Sequence, residues 1–233
     1  MDSKELEIET YEKSTGRPDY GSLWDQSHLD HLLNLGPEKS FDSLLDDHGI
    51  AGNILILGCG SGNRVDTISQ LNRTRKVVGI DITLSRVPRS RRKKQSFING
   101  DAENLPFVSS CFDTVISHSI LHHLPQWKEN GLDEIERVLD SDGTLILYEP
   151  GRFNPPAALR RRFYPSDIHT PGEKPFNPTN LERELNSRFE SVEIEGHCVF
   201  SNVFPVIDNM LPFSLPYYLT EKLYFMEKNL LNI

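Results

Sequence analysis

Short apolar runs alternate with more polar segments through the middle of the chain, between residues 38 and 150. Residues 54–57 are four consecutive apolar residues, and residues 77–80 form a similar run. Runs without polar alternation are typical of strands that are buried on both faces of a parallel sheet. The intervening segments have helical lengths, and residues 40–47 are predicted as a helix before the first strand. The pattern predicts an α/β protein with a Rossmann-like, doubly wound, mostly parallel sheet.

The two ends of the chain differ from this core. Residues 1–37 are polar, but leucines between positions 23 and 35 predict a helix that ends near Gly36-Pro37 and packs on the sheet as a cap. Residues 151–233 are rich in proline and aromatic residues. We therefore expect an N-terminal capping segment (1–37), a core (38–150) and a C-terminal part (151–233).

The C-terminal part begins with a long proline-rich loop, and a loop of this length inside a domain is usually functional. Asn177-Pro178 then supplies an N-cap and a first-turn proline for a helix that continues to about Arg188. Residues 189–200 alternate enough to form a strand. The apolar residues of 204–218 form a wall of the substrate site or a poorly packed surface, or else a surface for a lipid-like substrate or a membrane.

Three glycines spaced two apart follow the first apolar run: Gly58, Gly60 and Gly62. Glycine removes side chains where the chain turns from strand to helix, so a ligand can lie against the backbone. The second run ends in Asp81, at a spacing that lets its carboxylate accept both hydroxyls of a ribose. A dinucleotide site would place its third glycine one residue later, where this chain has Asn63. A nucleoside without a pyrophosphate is therefore favoured.

The G-x-G-x-G spacing resembles the first motif of class I S-adenosylmethionine-dependent methyltransferases, and later segments resemble further motifs of that family in the same order. They are 100–107 (GDAENLPF), 112–117 (FDTVIS), 119–124 (SILHHL) and 139–147 (LDSDGTLIL). Within the family, the chain is most similar to the type 11 methyltransferases, such as the ubiquinone and menaquinone methyltransferases. The resemblance implies an enzyme that uses S-adenosyl-L-methionine.

The resemblance also assigns cofactor contacts. The assigned residues are Gly58, Cys59, Gly60, Gly62, Asp81, Ile82, Asp101, Ala102 and Ser117. The glycine loop would hold the methionine end, and Asp81 would bind the ribose hydroxyls. Ile82 and Ala102 would face the adenine ring, and Asp101 would accept a hydrogen bond from its amino group. The Ser117 carbonyl would lie on the methionine side.

Two expectations about the chain ends follow from the same resemblance. The N-terminal segment of this family often folds over the cofactor, which makes Tyr20 and Trp24 candidates to contact it.

Family sheets usually end with an antiparallel seventh strand, but the apolar residues of 219–230 repeat with helical spacing. We therefore expect that this chain is incomplete and lacks the seventh strand. The exposed strand edges would be covered by residues 204–218 or would promote self-association.

Three histidines cluster after the predicted fourth strand: His118, His122 and His123. Histidine titrates near neutral pH, so each is a candidate to take a proton from a hydroxyl acceptor during methyl transfer. Alternatively, one of them orients the substrate or the cofactor and another caps a helix. His118 and His122 are four residues apart, as in some metal sites, but no third ligand with suitable spacing is evident, so no metal is predicted.

Composition limits the remaining possibilities. The net charge of −9 argues against nucleic-acid binding by the whole surface. Three scattered cysteines and the absence of an apolar leader predict a cytoplasmic protein, with Cys59 contributing its backbone to the loop. The basic run at 86–94 is predicted as a solvated face. Arg152 and the run 160–162 are candidates to recognise an anionic group on the acceptor.

The predicted function is transfer of a methyl group from S-adenosylmethionine to oxygen or carbon of a small-molecule or lipid-linked acceptor. Peripheral membrane contact through residues 204–218 is a further expectation. The first alternative is a nucleotide-dependent oxidoreductase or epimerase, which the glycine spacing disfavours. The second is a methyltransferase-like subunit that binds the cofactor or a partner protein without turnover.

Overall fold

A computed structural model describes residues 3–13, 41–42, 44–92, 96–152, 175–195 and 222. Among these residues, the strands are β1 (Gly52–Leu57), β2 (Thr74–Asp81), β3 (Ser96–Asn99), β4 (Phe112–His118) and β5 (Leu139–Tyr148). The helices are α1 (Ser3–Lys13), α2 (Asn63–Ser69), α3 (Arg89–Arg92), α4 (Leu132–Val138) and α5 (Pro178–Asn186). A 3₁₀ turn (Leu121–His123) and a π-helical turn (Trp127–Gly131) lie between β4 and α4.

The five strands form one parallel sheet in the order β3-β2-β1-β4-β5. The central strand β1 pairs on one side with β2 and on the other with β4, with Leu55 opposite both Val78 and Val115. The winding direction therefore reverses between β1 and β4. In open sheets of this kind, ligands bind outside the carboxyl ends of the strands at that reversal. The predicted Rossmann-like fold class is confirmed.

Burial on both faces explains the unbroken apolar run of β1. Leu55 and Leu57 belong to the apolar cluster that includes α4, whereas Ile54 and Ile56 belong to the cluster that includes Phe41 and the buried residues of α2. All four side chains are at most 2% exposed. Successive residues of a strand point to opposite faces, so a strand covered on both sides needs apolar residues at every position.

Two predicted helices are present. Residues 41–42 and 44–47 are helical, and Phe41 is fully buried. The helix α5 begins after Asn177, whose side chain accepts a hydrogen bond from the Thr179 amide at 3.1 Å, and Pro178 occupies its first turn. Asparagine at this position satisfies a backbone donor that has no partner within the helix.

The predicted strand at 189–200 is wrong for its described part, because residues 189–195 form no strand. Phe189 continues from the end of α5, and its amide donates to the Leu185 carbonyl at 2.9 Å. Phe189 and Val192 both pack against the core cluster. Residues three apart in a strand would face opposite sides, so this packing requires an irregular backbone.

Several expectations lie outside the described residues. They are the leucine helix at 23–35, Tyr20 and Trp24, the arginines at 160–162, the second half of the predicted strand, and the residues after 200 apart from Lys222. The missing seventh strand, self-association and membrane contact therefore stay predictions. Within the described part of the chain, no helix has the length and apolarity that crossing a membrane requires.

The segment between residues 152 and 175 begins and ends at one place beside β5. Gly151 forms an isolated parallel bridge with Phe176. The Arg152 amide donates to the Phe176 carbonyl at 2.7 Å, and the Phe176 amide donates to the Pro150 carbonyl at 2.9 Å. The Phe176 ring packs edge-on against Trp127, with centroids 4.8 Å apart. The described residues on either side of 153–174 therefore meet next to the carboxyl end of β5.

Candidate active site

The three glycines after β1 all have positive φ angles but different surroundings. A Cβ atom on Gly58 would lie 2.5 Å from Ile120 Cδ1, and one on Gly62 would lie 2.6 Å from the Phe97 ring. A Cβ on Gly60 would meet nothing within 4 Å. Gly58 and Gly62 are thus required by packing inside the protein, whereas Gly60 borders open space that fits a ligand lying against the backbone.

Asp81, at the end of β2, is joined to this loop by hydrogen bonds. Its Oδ2 accepts from the Gly60 amide at 2.8 Å, and its Oδ1 accepts from the Thr83 amide at 3.1 Å. Burial raises the pKa of the carboxyl group, and the two amides oppose that effect. Each carboxylate oxygen keeps acceptor capacity, so the group is suited to bind a pair of hydroxyls beside the open face of Gly60.

Cys59 contributes its main chain to the loop, as expected. Its amide donates to the Ile80 carbonyl at 3.1 Å, and its carbonyl accepts from the Gly62 amide at 2.8 Å. Burial, followed by the nearby Asp81 charge, raises the pKa of the thiol to about 12. A thiol with this pKa stays protonated at neutral pH and is a poor nucleophile.

Arg89 and Arg92 are exposed, as predicted for the run 86–94, whereas Arg91 is only partly exposed and contacts the glycine loop. Arg91 donates to the Ser61 carbonyl at 2.8 Å and also contacts the Asn63 side chain and the Asp66 carboxylate. Arg92 donates to two carbonyls of the preceding turn. Arg91 reaches the glycine loop because the chain after β2 folds back toward it.

At the end of β3, Asp101 already has a cationic partner. Lys4 of α1 lies 2.5 Å from Asp101 Oδ2 and 2.5 Å from Glu103 Oε2. The Glu103 carboxylate is buried and also accepts from the Gln126 amide at 2.5 Å. An adenine amino group at Asp101 would therefore share the carboxylate with Lys4.

The helix α1 crosses the edge of the sheet. Near its other end, Glu12 lies 3.4 Å from the Thr83 hydroxyl, so α1 reaches from the end of β3 to the end of β2. This is the region that the resemblance assigns to the adenosine. The sequence prediction placed the capping helix further along the chain, because α1 lacks the apolar periodicity that marks a helix packed on a core.

His118 is placed apart from the other two histidines. Its ring stacks on Tyr148 with centroids 4.9 Å apart, and Phe41 packs edge-on against it at 4.7 Å. Its Nε2 lies 3.1 Å from an Arg64 guanidinium nitrogen. Burial, and then the Arg64 charge, lower the pKa of His118 to about 3. A group with this pKa is a weak base at neutral pH, so the geometry does not favour His118 as a proton acceptor.

His122 forms a buried pair with Glu149, which directly follows β5. The Nδ1 atom of His122 lies 2.7 Å from Glu149 Oε2, and the side chains are 10% and 3% exposed. Glu149 Oε1 accepts from the backbone amides of Ile120 at 3.1 Å and Leu121 at 2.8 Å. The fully buried Ser117 hydroxyl lies 3.5 Å from the same oxygen. The pattern of apolar and polar positions gave no signal for Glu149.

The turn after β4 brings the histidines to the glycine loop. Ser119 adopts φ +55°, an uncommon value for a residue other than glycine, and this reverses the chain directly after the strand. The His123 amide donates to the Ile120 carbonyl at 2.9 Å, and the His123 ring lies 4.1 Å from the His122 ring. Ile120 is also the residue that packs over Gly58, so the histidine pair and the loop share one neighbour.

The remaining assigned residues lie on the same edge of the sheet. Ile82 directly follows β2, and its carbonyl accepts from the Asn99 side chain at 2.7 Å. Ala102 is buried at the end of β3, and Ser117 pairs with Leu57 and Leu147 inside the sheet. Their roles toward a cofactor stay predictions. Within the described ranges, no group of three or more potential ligands is placed to hold a metal ion.

The family described as "Methyltransferase domain" matches residues 55–147. This match covers β1 to β5, with the glycine loop, Asp81 and the histidine turn. The predicted resemblance to methyltransferases is confirmed for residues 55–147, which match the methyltransferase domain family. Domains of this class generally bind S-adenosylmethionine, and the open face of Gly60 beside Asp81 fits such a ligand.

Two known proteins are similar to parts of the chain. The phthiotriol/phenolphthiotriol dimycocerosates methyltransferase 1 of Mycobacterium ulcerans is 29% identical over 129 residues, 51% of this chain and 47% of that protein. The fatty-acid O-methyltransferase of Mycolicibacterium smegmatis is 30% identical over 103 residues, 42% of this chain and 37% of that protein. The chain spans less than half the length of either relative.

A solved structure shows why the fold alone does not decide the reaction. The [4+2]-cyclase SpnF is 18% identical to this chain, with a TM-score of 0.51, and the match covers 65% of this chain and 57% of that one. At this identity the likeness shows the fold alone. That solved structure is named as a cyclase, so the reaction of a chain with this fold has to be argued from its site residues.

Proposed function

We propose that the chain transfers a methyl group from S-adenosylmethionine to oxygen of a small-molecule or lipid-linked acceptor. The observation that carries the proposal is the pairing of Gly60 with Asp81. The Gly60 amide holds the Asp81 carboxylate at 2.8 Å, while the α-carbon of Gly60 faces open space. A ribose bound by Asp81 would therefore lie beside the loop, with the methionine end continuing along the three glycines.

S-adenosylmethionine supplies a methyl group on a positively charged sulfur, which is a good leaving group. The acceptor oxygen forms a bond to the methyl carbon as the carbon–sulfur bond breaks, and the proton of the acceptor must leave. Since the leaving group is activated, alignment of the two substrates supplies much of the rate enhancement. The protein therefore needs to hold the donor along the glycine loop and to bring the acceptor to the histidine turn.

The acceptor side lies beyond Gly58, where Ile120 joins the glycine loop to His122 and Glu149. His122 would take the proton of the acceptor there. Arg152 is close to Glu149 in the chain, and its amide donates to the Phe176 carbonyl, so its side chain is a candidate to contact the acceptor. A lipid-like acceptor is supported by the names of the two relatives and by the apolar residues of 204–218.

Calorimetry and thermal unfolding with adenosylhomocysteine, S-adenosylmethionine, NAD and NADP test the cofactor. Adenosylhomocysteine should bind and raise the midpoint of unfolding, since any ligand that binds only the folded state stabilises it. Gly60→Val should lose this binding, because the side chain would fill the open space beside the loop. Stabilisation by NAD alone would contradict the proposal.

Methyl transfer is tested by incubating the protein with labelled S-adenosylmethionine and a panel of a long-chain phenol, a long-chain alcohol and a fatty acid. Label in an extracted methylated product supports an enzyme. Tight binding of adenosylhomocysteine without label in any product would favour the alternative of a cofactor-binding subunit without turnover.

A further inference from the structure

The buried Glu149 carboxylate has a role that the cofactor site does not require. We propose that Glu149 is a positioning residue that fixes His122 with Nδ1 protonated and Nε2 ready to accept a proton. The acceptor would then be a neutral hydroxyl compound that must lose a proton, and not a carboxylate. This inference rests on the proposed function, since it names the class of acceptor for the same site.

The orientation of Glu149 is set by backbone groups. The amides of Ile120 and Leu121 donate to Oε1, at 3.1 and 2.8 Å, and a backbone amide can only donate. Oε1 is therefore held on the side of the 3₁₀ turn, and Oε2 faces the histidine ring at 2.7 Å. Because the carboxylate is 3% exposed, water does not compete for these positions.

This geometry determines the tautomer of His122. A neutral imidazole has one nitrogen that donates and one that accepts. With Oε2 as an acceptor at 2.7 Å, Nδ1 carries the hydrogen, and Nε2 has the free electron pair. When Nε2 takes a proton from an acceptor, the resulting positive charge lies against the Glu149 carboxylate, which stabilises it in a buried setting.

The class of acceptor follows from the proton balance. A hydroxyl acceptor gives its proton to His122 Nε2 as oxygen bonds to the methyl carbon, so the products are a methyl ether, adenosylhomocysteine and a protonated histidine. A carboxylate acceptor has no proton to lose at neutral pH and gains nothing from this base. Its negative charge would also be repelled by the buried charge of Glu149.

The substitution Glu149→Gln tests the positioning role with little change in shape. The two backbone amides need an acceptor, so they hold the carbonyl oxygen of the new side chain in the place of Oε1. The side-chain NH₂ group then faces His122 Nδ1 and can only donate. His122 Nδ1 must become the acceptor, and the hydrogen moves to Nε2. Glu149→Gln should therefore reverse the tautomer.

The tautomer is read by nitrogen NMR of the full chain labelled with ¹⁵N-histidine, at a pH where histidine is neutral. His122→Gln identifies the signal. Glu134→Gln is the matched control, since Glu134 also accepts from a backbone amide, that of Leu105, but its charged partner is Arg137 and not a histidine. We expect Nδ1–H in the wild type and in Glu134→Gln, and Nε2–H in Glu149→Gln. Nε2–H in the wild type, or an unchanged tautomer in Glu149→Gln, overturns the proposal.

Turnover tests the acceptor class with two probes of similar length, a long-chain phenol and a fatty acid. Glu149→Gln should lower kcat for the phenol by about 100-fold or more, the range expected for a lost general base, while its affinity for adenosylhomocysteine is unchanged. Methylation of the fatty acid alone, or equal turnover by Glu149→Gln, contradicts the inference. If the proposed function fails, adenosylhomocysteine does not bind and no probe gives a methylated product. The tautomer measurement requires neither cofactor binding nor turnover, so it tests the positioning role separately.

Discussion

Asp81, which is partly buried, and Glu149, whose side chain is buried, lie at the same edge of one sheet. Each carboxylate accepts hydrogen bonds from two backbone amides, but the amides are distributed differently over its two oxygens. Asp81 receives one amide on each oxygen, from Gly60 and Thr83. Glu149 receives both amides on Oε1 and turns Oε2 to His122. Similar chemistry thus gives two kinds of site.

The distribution of the amide hydrogen bonds over the two oxygens determines which further hydrogen bonds each carboxylate can accept. When each carboxylate oxygen accepts one amide hydrogen bond, each can accept another, which suits the adjacent hydroxyls of a ribose. A pair with one oxygen fully occupied presents a single acceptor in a fixed direction, which suits the orientation of one imidazole ring. We infer that the edge binds the methyl donor at Asp81, which is its donor-binding end, and accepts a proton at His122, which Glu149 orients, at its other, proton-accepting end.

The largest expected effect concerns His118, which belongs to neither end. Its pKa is lowered to about 3, so its contribution to stability is complete above the unfolded value of 6.5 and is lost as pH falls toward 3. His118→Gln removes this dependence. The loss of unfolding free energy between pH 7 and pH 4 should shrink by about 3 kcal/mol.

Urea unfolding at pH 7 and pH 4 measures this difference. His122→Gln serves as the comparison, since His122 lies against a carboxylate rather than an arginine. An identical pH dependence for wild type and His118→Gln would contradict the burial of a neutral ring at this position, and would place His118 back among the candidate bases.

Asp81→Ala should weaken the binding of adenosylhomocysteine at the donor-binding end and leave the proton-accepting end unchanged. Loss of a charged acceptor facing two hydroxyls typically costs about 1.5–3 kcal/mol, or roughly 10- to 150-fold in affinity for adenosylhomocysteine. The tautomer of His122 should not change. Asp113→Ala is the control, because Asp113 also accepts from a backbone amide, that of Asn53, at the opposite end of the sheet. Equal losses in both variants, measured by calorimetry, would show that the effect is not local.

The two glycines are expected to differ from each other by a smaller amount, about 1–2 kcal/mol in stability. Gly62→Ala combines a positive φ with a clash against Phe97 and should lower the free energy of unfolding by about 3 kcal/mol. Gly60→Ala has only the cost of the positive φ, about 1–2 kcal/mol of unfolding free energy. Relative to that loss, it should weaken the binding of adenosylhomocysteine more than Gly62→Ala does. Urea unfolding and calorimetry on both variants decide this. A larger stability loss in Gly60→Ala would show that the space beside Gly60 is not open.

The smallest expected effect is at Arg91, which fastens the glycine loop from outside. Arg91→Lys loses the forked contacts to the Ser61 carbonyl and the Asp66 carboxylate. These side chains are partly exposed, so we expect a loss of only about 0.5–1 kcal/mol, a few-fold in affinity for adenosylhomocysteine. Arg89→Lys, on the same helix but exposed, is the control. Equal affinities in the two variants would remove Arg91 from the cofactor site.

The donor-binding end was largely predictable from the sequence. Gly58, Gly60, Gly62 and Asp81 stand at fixed distances along a strand, a turn and a second strand, and each of these elements is local. The acceptor end was predictable only in part. His122 and His123 lie next to a strand end, but the partner of His122 is Glu149, which stands 27 residues later and directly follows another strand. Nothing in the local pattern links the two positions.

The sequence by itself determined the buried strands, their order along the chain and the likeness to methyltransferases, because apolar runs and turn glycines act over a few residues. The tertiary structure decided which glycine borders open space, which histidine has a carboxylate partner and that α1 crosses the sheet edge. It also decided that residues 189–195 form no strand. Each of these outcomes depends on which distant side chains meet, and packing of the two sheet faces, not local propensity, brings them together.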